Sequence, residues 1–169
     1  MDSDALIAAL GKKFEDQAVQ TLVRELKMTK IPKIPKARSK ESEDYLEAKD
    51  AGIHLGFTDA DYLEGRKVAR YGNADMILTG ITVYAADGEP GYKTFRGTLP
   101  GGVTVLDSQE QVLSKLGPAT STYEDEDDHV ITGRSWETDK YLMTFVYDQH
   151  GNVRYVQLVL PAYFARIPD

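Results

Sequence analysis

The sequence predicts an α+β fold in which helices back an antiparallel sheet. Apolar and polar residues alternate over Met76–Ala85 and Val153–Leu160, which indicates strands with one buried face. Apolar residues near the start of the chain recur every three or four positions, which indicates an amphipathic helix. The short turn Asp148–Asn152 joins two strands directly, and such a connection is typical of antiparallel pairing. These observations together favour sheet and helix segregated into two layers.

Length and composition indicate one soluble domain spanning residues 1–169. The chain has 169 residues, of which 41% are hydrophobic and 28% are charged, so it can bury a core of ordinary size. No apolar run approaches the roughly 18 residues needed to cross a bilayer. The start lacks a basic signal region and the chain has no cysteine, so we expect a cytoplasmic protein. A mature periplasmic chain whose signal has been removed would look the same.

The first half begins with helix and continues with strands. Asp4–Lys27 is predicted to form two helices, or one interrupted at Gly11, with Ser3 or Asp4 as the N-cap. Two prolines make Ile31–Lys36 a connector within a basic segment. That segment carries Lys27, Lys30, Lys33, Lys36, Arg38 and Lys40.

Two strands and a hairpin complete the first half. The strands are Gly52–Phe57 and Met76–Ala85. Turn residues at Asp87–Gly88 and Pro90–Gly91 lead to a third predicted strand, Tyr92–Arg96, which would form the hairpin.

The second half, Gly97–Leu160, reads as a complete structural unit. The turn Leu99–Gly102 leads to a helix over Asp107–Leu116, for which Asp107 or Ser108 is the cap. Gly117–Pro118 stops this helix. Strands follow around Trp136, at Tyr141–Tyr147 and at Val153–Leu160.

The order of elements suggests a repeat. Residues 1–97 and 98–169 each run helix, strand, strand, so the halves could be tandem αββ repeats that form one curved sheet. The alternative is a single irregular α+β domain, because αββ order is common and the two halves share little identity.

Charge favours a protein partner over nucleic acid. The net charge of −7 opposes phosphate binding, which depends on Lys and Arg. Five adjacent carboxylates repel one another and would attract a basic partner, for example a nuclease with a basic substrate groove. The alternative is a solubilising loop without a partner. The run comprises Glu124, Asp125, Glu126, Asp127 and Asp128.

No catalytic motif is present, so we expect neither an enzyme nor a cofactor. The chain has no glycine-rich phosphate loop and no pair of histidines at zinc-site spacing. His129 beside Asp127 and Asp128 leaves open a metal-dependent or small-ligand function, although a solvated hairpin tip explains the same residues. A structural adaptor is a third possibility.

Aromatic residues suggest a binding face. The chain has ten tyrosines, and a tyrosine on an exposed sheet face offers a rigid contact with a polar tip. Tyr155 and Trp136 are therefore the predicted anchors, although a single tryptophan is more often part of a core.

The second half resembles the immunity proteins of bacterial polymorphic-toxin and type VI secretion systems. The resemblance lies in Gly97-x-Leu99-Pro100-x-Gly102, the helix Asp107–Leu116 with the following Gly117-x-Ala119, a tryptophan and paired strands. The order is also similar to outer-membrane assembly lipoproteins and to the tandem-repeat β-lactamase inhibitor protein. The lipoprotein cysteine and the inhibitor's disulfides are absent. The resemblance implies an immunity protein that neutralises a cognate toxin by covering its active site, without catalysis, membrane or nucleic acid.

Overall fold

A computed structural model describes residues 1–36, 40–86 and 88–165, so Arg38 of the basic segment and Asp87 of the predicted turn lie outside the described residues. The helices in the described residues are α1 (Ser3–Ala9), α2 (Gln17–Glu25), α3 (Ala60–Leu63), α4 (Gln109–Leu116) and α5 (Pro161–Phe164). The strands are β1 (Glu43–Ala48), β2 (Ile53–Asp59), β3 (Met76–Tyr84), β4 (Ser121–Glu124), β5 (Ile131–Glu137), β6 (Leu142–Tyr147) and β7 (Val153–Val159). Two short 3₁₀ turns lie at Lys49–Ala51 and Pro100–Gly102. None of the described helices is long and apolar enough to cross a membrane.

All the strands join one antiparallel sheet of order β1-β2-β3-β7-β6-β5-β4. The last strand of each half lies at the centre, where Gly80 pairs with Val159 and Tyr84 pairs with Tyr155. The predicted α+β class, with an antiparallel sheet and helices, is therefore confirmed.

Each half extends outward from this centre. The first half contributes β3, β2 and β1 in that order, and the second contributes β7, β6 and β5, with β4 outside them. The first half therefore has three strands and the second half has four, so both exceed the predicted αββ order. Strands β1 and β4 are the ones that were not predicted. A duplication of residues 1–97 and 98–169 stays a prediction.

The core lies between the helices and one face of the sheet, which we call the inner face. Leu6, Val19 and Leu22 of the helices are almost completely buried. They belong to one cluster with inward-facing residues of the strands, including Leu55, Leu78, Ile81, Phe145, Val156 and Leu158. These residues alternate along the strands except in β3, where a register shift separates Leu78 and Ile81 by three positions. Burial of alternate residues is the origin of the period-two pattern in the sequence.

Local signals set the helix boundaries. The N-cap of α1 is Asp2, whose carboxylate accepts a hydrogen bond from the Ala5 N–H, and not Ser3 or Asp4 as predicted. Gly11 has φ +79°, which allows the chain to turn between α1 and α2. Ser108 caps α4 in a reciprocal capping box with Gln111.

The predicted strand Tyr92–Arg96 is wrong. Both edges of β3 are already occupied beside Val83, by Ile53 of β2 and Val156 of β7. The 92–96 segment therefore runs as a loop. One backbone hydrogen bond, from the Phe95 N–H to the Tyr84 carbonyl (2.8 Å), fixes it against the end of β3.

Candidate binding face

The face of the sheet opposite α1, α2 and α4, which we call the outer face, carries a row of polar residues that crosses every strand of the sheet. Cross-strand pairing aligns these residues in register, and each of them is polar. Within the row the hydroxyl oxygens of Ser135 and Thr144 are 2.8 Å apart. Because these residues are polar, water can hydrogen-bond to this face of the sheet. The row consists of Glu47, His54, Thr82, Gln157, Thr144, Ser135 and Ser121.

Beside the polar row lie three tyrosines, Tyr92, Tyr84 and Tyr155, which we call the tyrosine row. Tyr84 and Tyr155 are cross-strand neighbours on β3 and β7, with ring centroids 6.1 Å apart. Tyr92 comes from the following loop and lies 4.2 Å from Tyr84, centroid to centroid. All three are partly exposed, so they offer a continuous aromatic surface with polar tips.

A glutamate fixes the end of the tyrosine row. The hydroxyl of Tyr92 donates to Oε1 of Glu47 (2.6 Å), and the Lys49 ammonium lies 5.5 Å from the centre of the Tyr92 ring. Burial and this hydrogen bond raise the pKa of Tyr92, and burial raises that of Tyr84. Both phenols are therefore neutral donors at neutral pH.

Two glycines open a groove next to the tyrosine row. Gly56 of β2 pairs with Gly80 of β3, so neither strand contributes a side chain at this point, although the Tyr45 ring lies beside Gly56. A Cβ at Gly80 would have no heavy atom within 4 Å. We call this depression, of about 360 Å³, the glycine groove. Residues that line it include Glu43, Tyr45, His54, Tyr84, Gln157, Val159 and Tyr163.

A carboxylate lies at one side of the glycine groove between two phenols. Tyr45 and Tyr163 each donate their hydroxyl to one oxygen of Glu43. Burial raises the pKa of Tyr163, and the hydrogen bond to Glu43 raises it further. The groove therefore combines aromatic walls with a negative charge in a fixed position.

His54 forms a neutral part of the groove wall. Its ring centroid lies 4.9 Å from that of Tyr45. Burial lowers the pKa of His54 below 6.5, although the charge of Glu47 acts in the opposite direction. At neutral pH the imidazole is uncharged and adds no positive charge to the groove.

The predicted acidic run forms the exposed loop between β4 and β5. Asp125 Oδ1 accepts hydrogen bonds from the backbone N–H groups of Asp127 (2.9 Å) and Asp128 (3.4 Å). Asp128 Oδ1 accepts one from the Val130 N–H (3.1 Å). All five carboxylates from Glu124 to Asp128 are exposed, so their charges face solvent.

The acidic loop and the tyrosine row lie at the same end of the sheet. Tyr123 stands on the cross-strand line that runs through Gly133, Val146 and Tyr155 to Tyr84. The loop begins one residue beyond this line, at Glu124. Predicted contact residues Glu124–Asp128 and Tyr155 therefore lie at the same end of the sheet, with β6 and β5 between the strands that carry them.

Trp136 does not belong to that region. It faces the helices, has 8% exposure, and packs edge-on against Phe145 with ring centroids 5.8 Å apart. Its indole N–H donates to the Gly117 carbonyl at the end of α4 (3.2 Å). We therefore correct the anchoring role predicted for Trp136, because this side chain has almost no surface to offer a partner.

The histidine beside the acidic run has a local hydrogen-bond partner. His129 Nδ1 lies 2.8 Å from Glu124 Oε1, and both side chains are largely exposed. Among residues 1–36, 40–86 and 88–165, no three metal-binding side chains are grouped to hold an ion. The geometry at His129 is that of a solvated hairpin tip.

Sequence reasoning missed Tyr84, Tyr92 and the glycine groove. Gly56 and Gly80 each interrupt a strand pattern, and a glycine inside a strand often marks a place where another group approaches closely. This signal was present, but only the β2–β3 register places the two glycines side by side.

Comparison with known proteins yields a fold relationship. Neither a protein-family model nor a curated protein matches the sequence. A solved structure with the same fold is an extracellular protein containing an SCP domain from Bacillus anthracis strain Ames, with a TM-score of 0.57 and 12% identity. The match covers 97% of this chain and 48% of that protein, so this chain spans about half its length. At this identity the shared property is the fold.

The comparison contradicts the expected cytoplasmic location. The structurally similar protein is described as extracellular, so a chain of this fold occurs outside the cytoplasm. The absence of cysteine was a weak argument, because disulfides are optional in a domain large enough to bury its own core. We withdraw the cytoplasmic assignment.

Proposed function

We propose that this chain is a recognition protein that binds a basic protein partner through the outer face of its sheet. In its specific form the proposal is an immunity protein, which neutralises a cognate bacterial toxin by covering the toxin's active site. The chain would act by stoichiometric binding and not by catalysis.

The tyrosine row carries this proposal. Tyr84 contacts both Tyr92 and Tyr155 on the face of the sheet opposite α1, α2 and α4. Tyrosine is enriched among the residues that dominate binding energy, because a rigid ring with a polar tip buries a large area at little entropic cost. A sheet face that carries three neighbouring tyrosine rings is suited to binding the surface of another protein.

The acidic loop supports a basic partner. Five exposed carboxylates lie at the same end of the sheet as the tyrosines. A concentrated negative field accelerates association with a positive surface, and the tyrosine rings elsewhere on the same face can then supply short-range contact. Toxins that act on nucleic acid carry positive substrate grooves, and these would fit such a field.

The test begins with the product of the neighbouring gene, or with a protein captured from the native host by the tagged chain. That protein is expressed alone and together with this chain, and cell growth is measured. We expect the partner alone to arrest growth and the wild-type chain to restore it. In vitro, inhibition should saturate at one chain per toxin.

A double variant, Tyr84→Ser with Tyr155→Ser, should fold but fail to protect. Leu106→Ser is the matched control, because Leu106 is a 66% exposed apolar residue outside the outer face. A partner that is not toxic would refute the immunity function. Full protection by the double variant would refute the role of the tyrosine row in binding.

A further inference from the structure

The glycine groove has the form of a receptor for a single side chain. Its volume of about 360 Å³ corresponds to about a dozen water molecules at roughly 30 Å³ each. The floor is open backbone at Gly80, with the Tyr45 ring beside Gly56, and the rings of Tyr45, His54, Tyr84 and Tyr163 form most of the walls. Release of water from such a site favours a partner group that fits between the rings.

We propose that the glycine groove binds an arginine side chain of the partner; this inference rests on the proposed function, because it takes the partner to be a basic protein. The guanidinium would lie against the rings of Tyr45 and Tyr163 and donate hydrogen bonds to Glu43. The groove would thus select one residue of the partner, while the acidic loop attracts the partner as a whole.

The charge at the groove determines the sign of the occupant. Glu43 is a wall residue whose two oxygens each accept one tyrosine hydroxyl. A carboxylate has about four acceptor sites, so capacity remains for N–H donors of a ligand. Glu43 would repel an anionic side chain. A neutral apolar side chain would displace water from the remaining acceptor sites of Glu43 without offering a hydrogen-bond donor.

The aromatic walls favour arginine over lysine. A planar guanidinium stacks on tyrosine rings and retains N–H donors in the plane for a carboxylate. Lysine has a compact and strongly hydrated charge, which loses more hydration on entering a groove between rings. His54 is neutral at neutral pH because burial lowers its pKa, so it does not repel the guanidinium.

The test uses N-acetyl-L-arginine methylamide as the probe, with the full chain labelled with ¹⁵N. We expect saturable shifts in the amide resonances of Gly56 and Gly80. The citrulline analogue has the same shape without the charge, and should bind about tenfold more weakly. The lysine analogue should also bind more weakly.

Gly80→Val tests the location of the site. The backbone at Gly80 is ordinary strand and a Cβ there meets no atom within 4 Å, so valine should fold and fill the groove. Probe binding should disappear in this variant. Thr144→Val is the control, because it places a valine on the same face two strands away, outside the residues that line the groove.

Glu43→Gln tests the charge and should weaken arginine binding about tenfold. The assignment is overturned by the absence of shifts at Gly56 and Gly80, by equal binding of citrulline or lysine, or by wild-type binding in Gly80→Val. If these occur while the tyrosine variants still lose protection, the groove assignment fails and the recognition function stands. If the probe binds but the partner is not toxic, the immunity function fails instead.

Discussion

The ammonium group of Lys30 lies 2.9 Å from Oδ2 of Asp44, a carboxylate that is only 5% exposed. Asp44 faces the inner side of the sheet on β1, an edge strand. The backbone N–H of Lys33 also donates to Asp44 (3.0 Å). These contacts attach the proline-containing connector to the sheet.

We predict that Asp44→Asn destabilises the fold by about 2 kcal/mol at pH 7, because a buried carboxylate loses its cation and a charged hydrogen bond. Burial by itself would raise the pKa of Asp44, but the contacts with Lys33 and Lys30 hold it below 3.8. The stabilisation is therefore complete above pH 3.8 and is lost as the pH falls through the native value.

Urea unfolding at a series of pH values checks this prediction. Asp50→Asn is the control, because Asp50 also contacts a lysine, Lys93 at 2.7 Å, but its side chain is 93% exposed. The control should show no measurable change, since exposed ion pairs contribute little. Equal effects of the two variants would contradict the role assigned to Asp44.

A second prediction concerns the contribution of His54 to the free energy of unfolding as the pH falls from neutral to acid. Since burial lowers the pKa of His54 below 6.5, the unfolded chain binds a proton first as the pH falls. The contribution of His54 to stability is present above pH 6.5 and is lost below it. His54→Gln should therefore flatten the decline in unfolding free energy between about pH 7 and pH 5. An unchanged slope in urea unfolding, compared with His150→Gln in the exposed turn, would show the prediction to be wrong.

A third prediction compares two glycines. Gly80→Ala should leave stability unchanged or raise it by about 0.5 kcal/mol, because the site is open and alanine restricts the unfolded chain. Gly52→Ala should cost more than about 2 kcal/mol, because Gly52 has φ +67° and a Cβ would lie 2.1 Å from the Lys93 carbonyl. Thermal unfolding of the two variants measures both effects. Similar melting temperatures would disprove the difference.

The fourth prediction replaces the charges of the acidic loop while its hydrogen bonds are kept. Converting Glu124, Asp125, Glu126, Asp127 and Asp128 to their amides preserves the acceptors that Asp125 and Asp128 offer to the loop backbone. Association with a basic partner should slow by about tenfold or more at low salt, with little change in dissociation. At about 1 M salt, where charges are screened beyond roughly 3 Å, the two chains should associate at the same rate. Stopped-flow measurements decide, and an unaltered rate at low salt would remove the loop from recognition.

The fifth prediction distinguishes a core residue, Trp136, from an outer-face residue, Tyr155. Trp136→Ala should destabilise the fold by about 3–5 kcal/mol, because a buried ring and its hydrogen bond to Gly117 are lost. Tyr155→Ala should cost much less stability, since the ring is partly exposed, but should weaken partner binding by about 2 kcal/mol. Chemical denaturation and binding titration of both variants check this. The interpretation fails if the stability effects are reversed.

The sequence predicted the elements whose signals are local. The spacing of apolar residues and the Gly11 break predicted α1 and α2, and the cap signal of Asp107 or Ser108 predicted the start of α4. The alternation that identified β3 and β7 arises because their inner residues are fully buried. The acidic run was correctly expected to be exposed, for its charges cannot be desolvated together.

The missed strands lack this pattern. Strand β1 has Asp44 on its buried face, and only the contact with Lys30, from a distant loop, explains how a carboxylate can lie there. Strand β4 is exposed along its whole length, so no apolar alternation marks it. The glycine groove depends on strand register, which single-residue patterns do not determine.

The central pairing of β3 with β7 joins parts of the chain that are synthesised far apart. Until β7 emerges from the ribosome, β3 presents an unpaired edge from Gly80 to Tyr84. Contacts between distant segments slow folding, and an open strand edge during that delay can pair with other chains. The pairing of β3 with β7 makes the sheet continuous, but it therefore also exposes the nascent chain to aggregation. The sheet is complete only when β7 has paired.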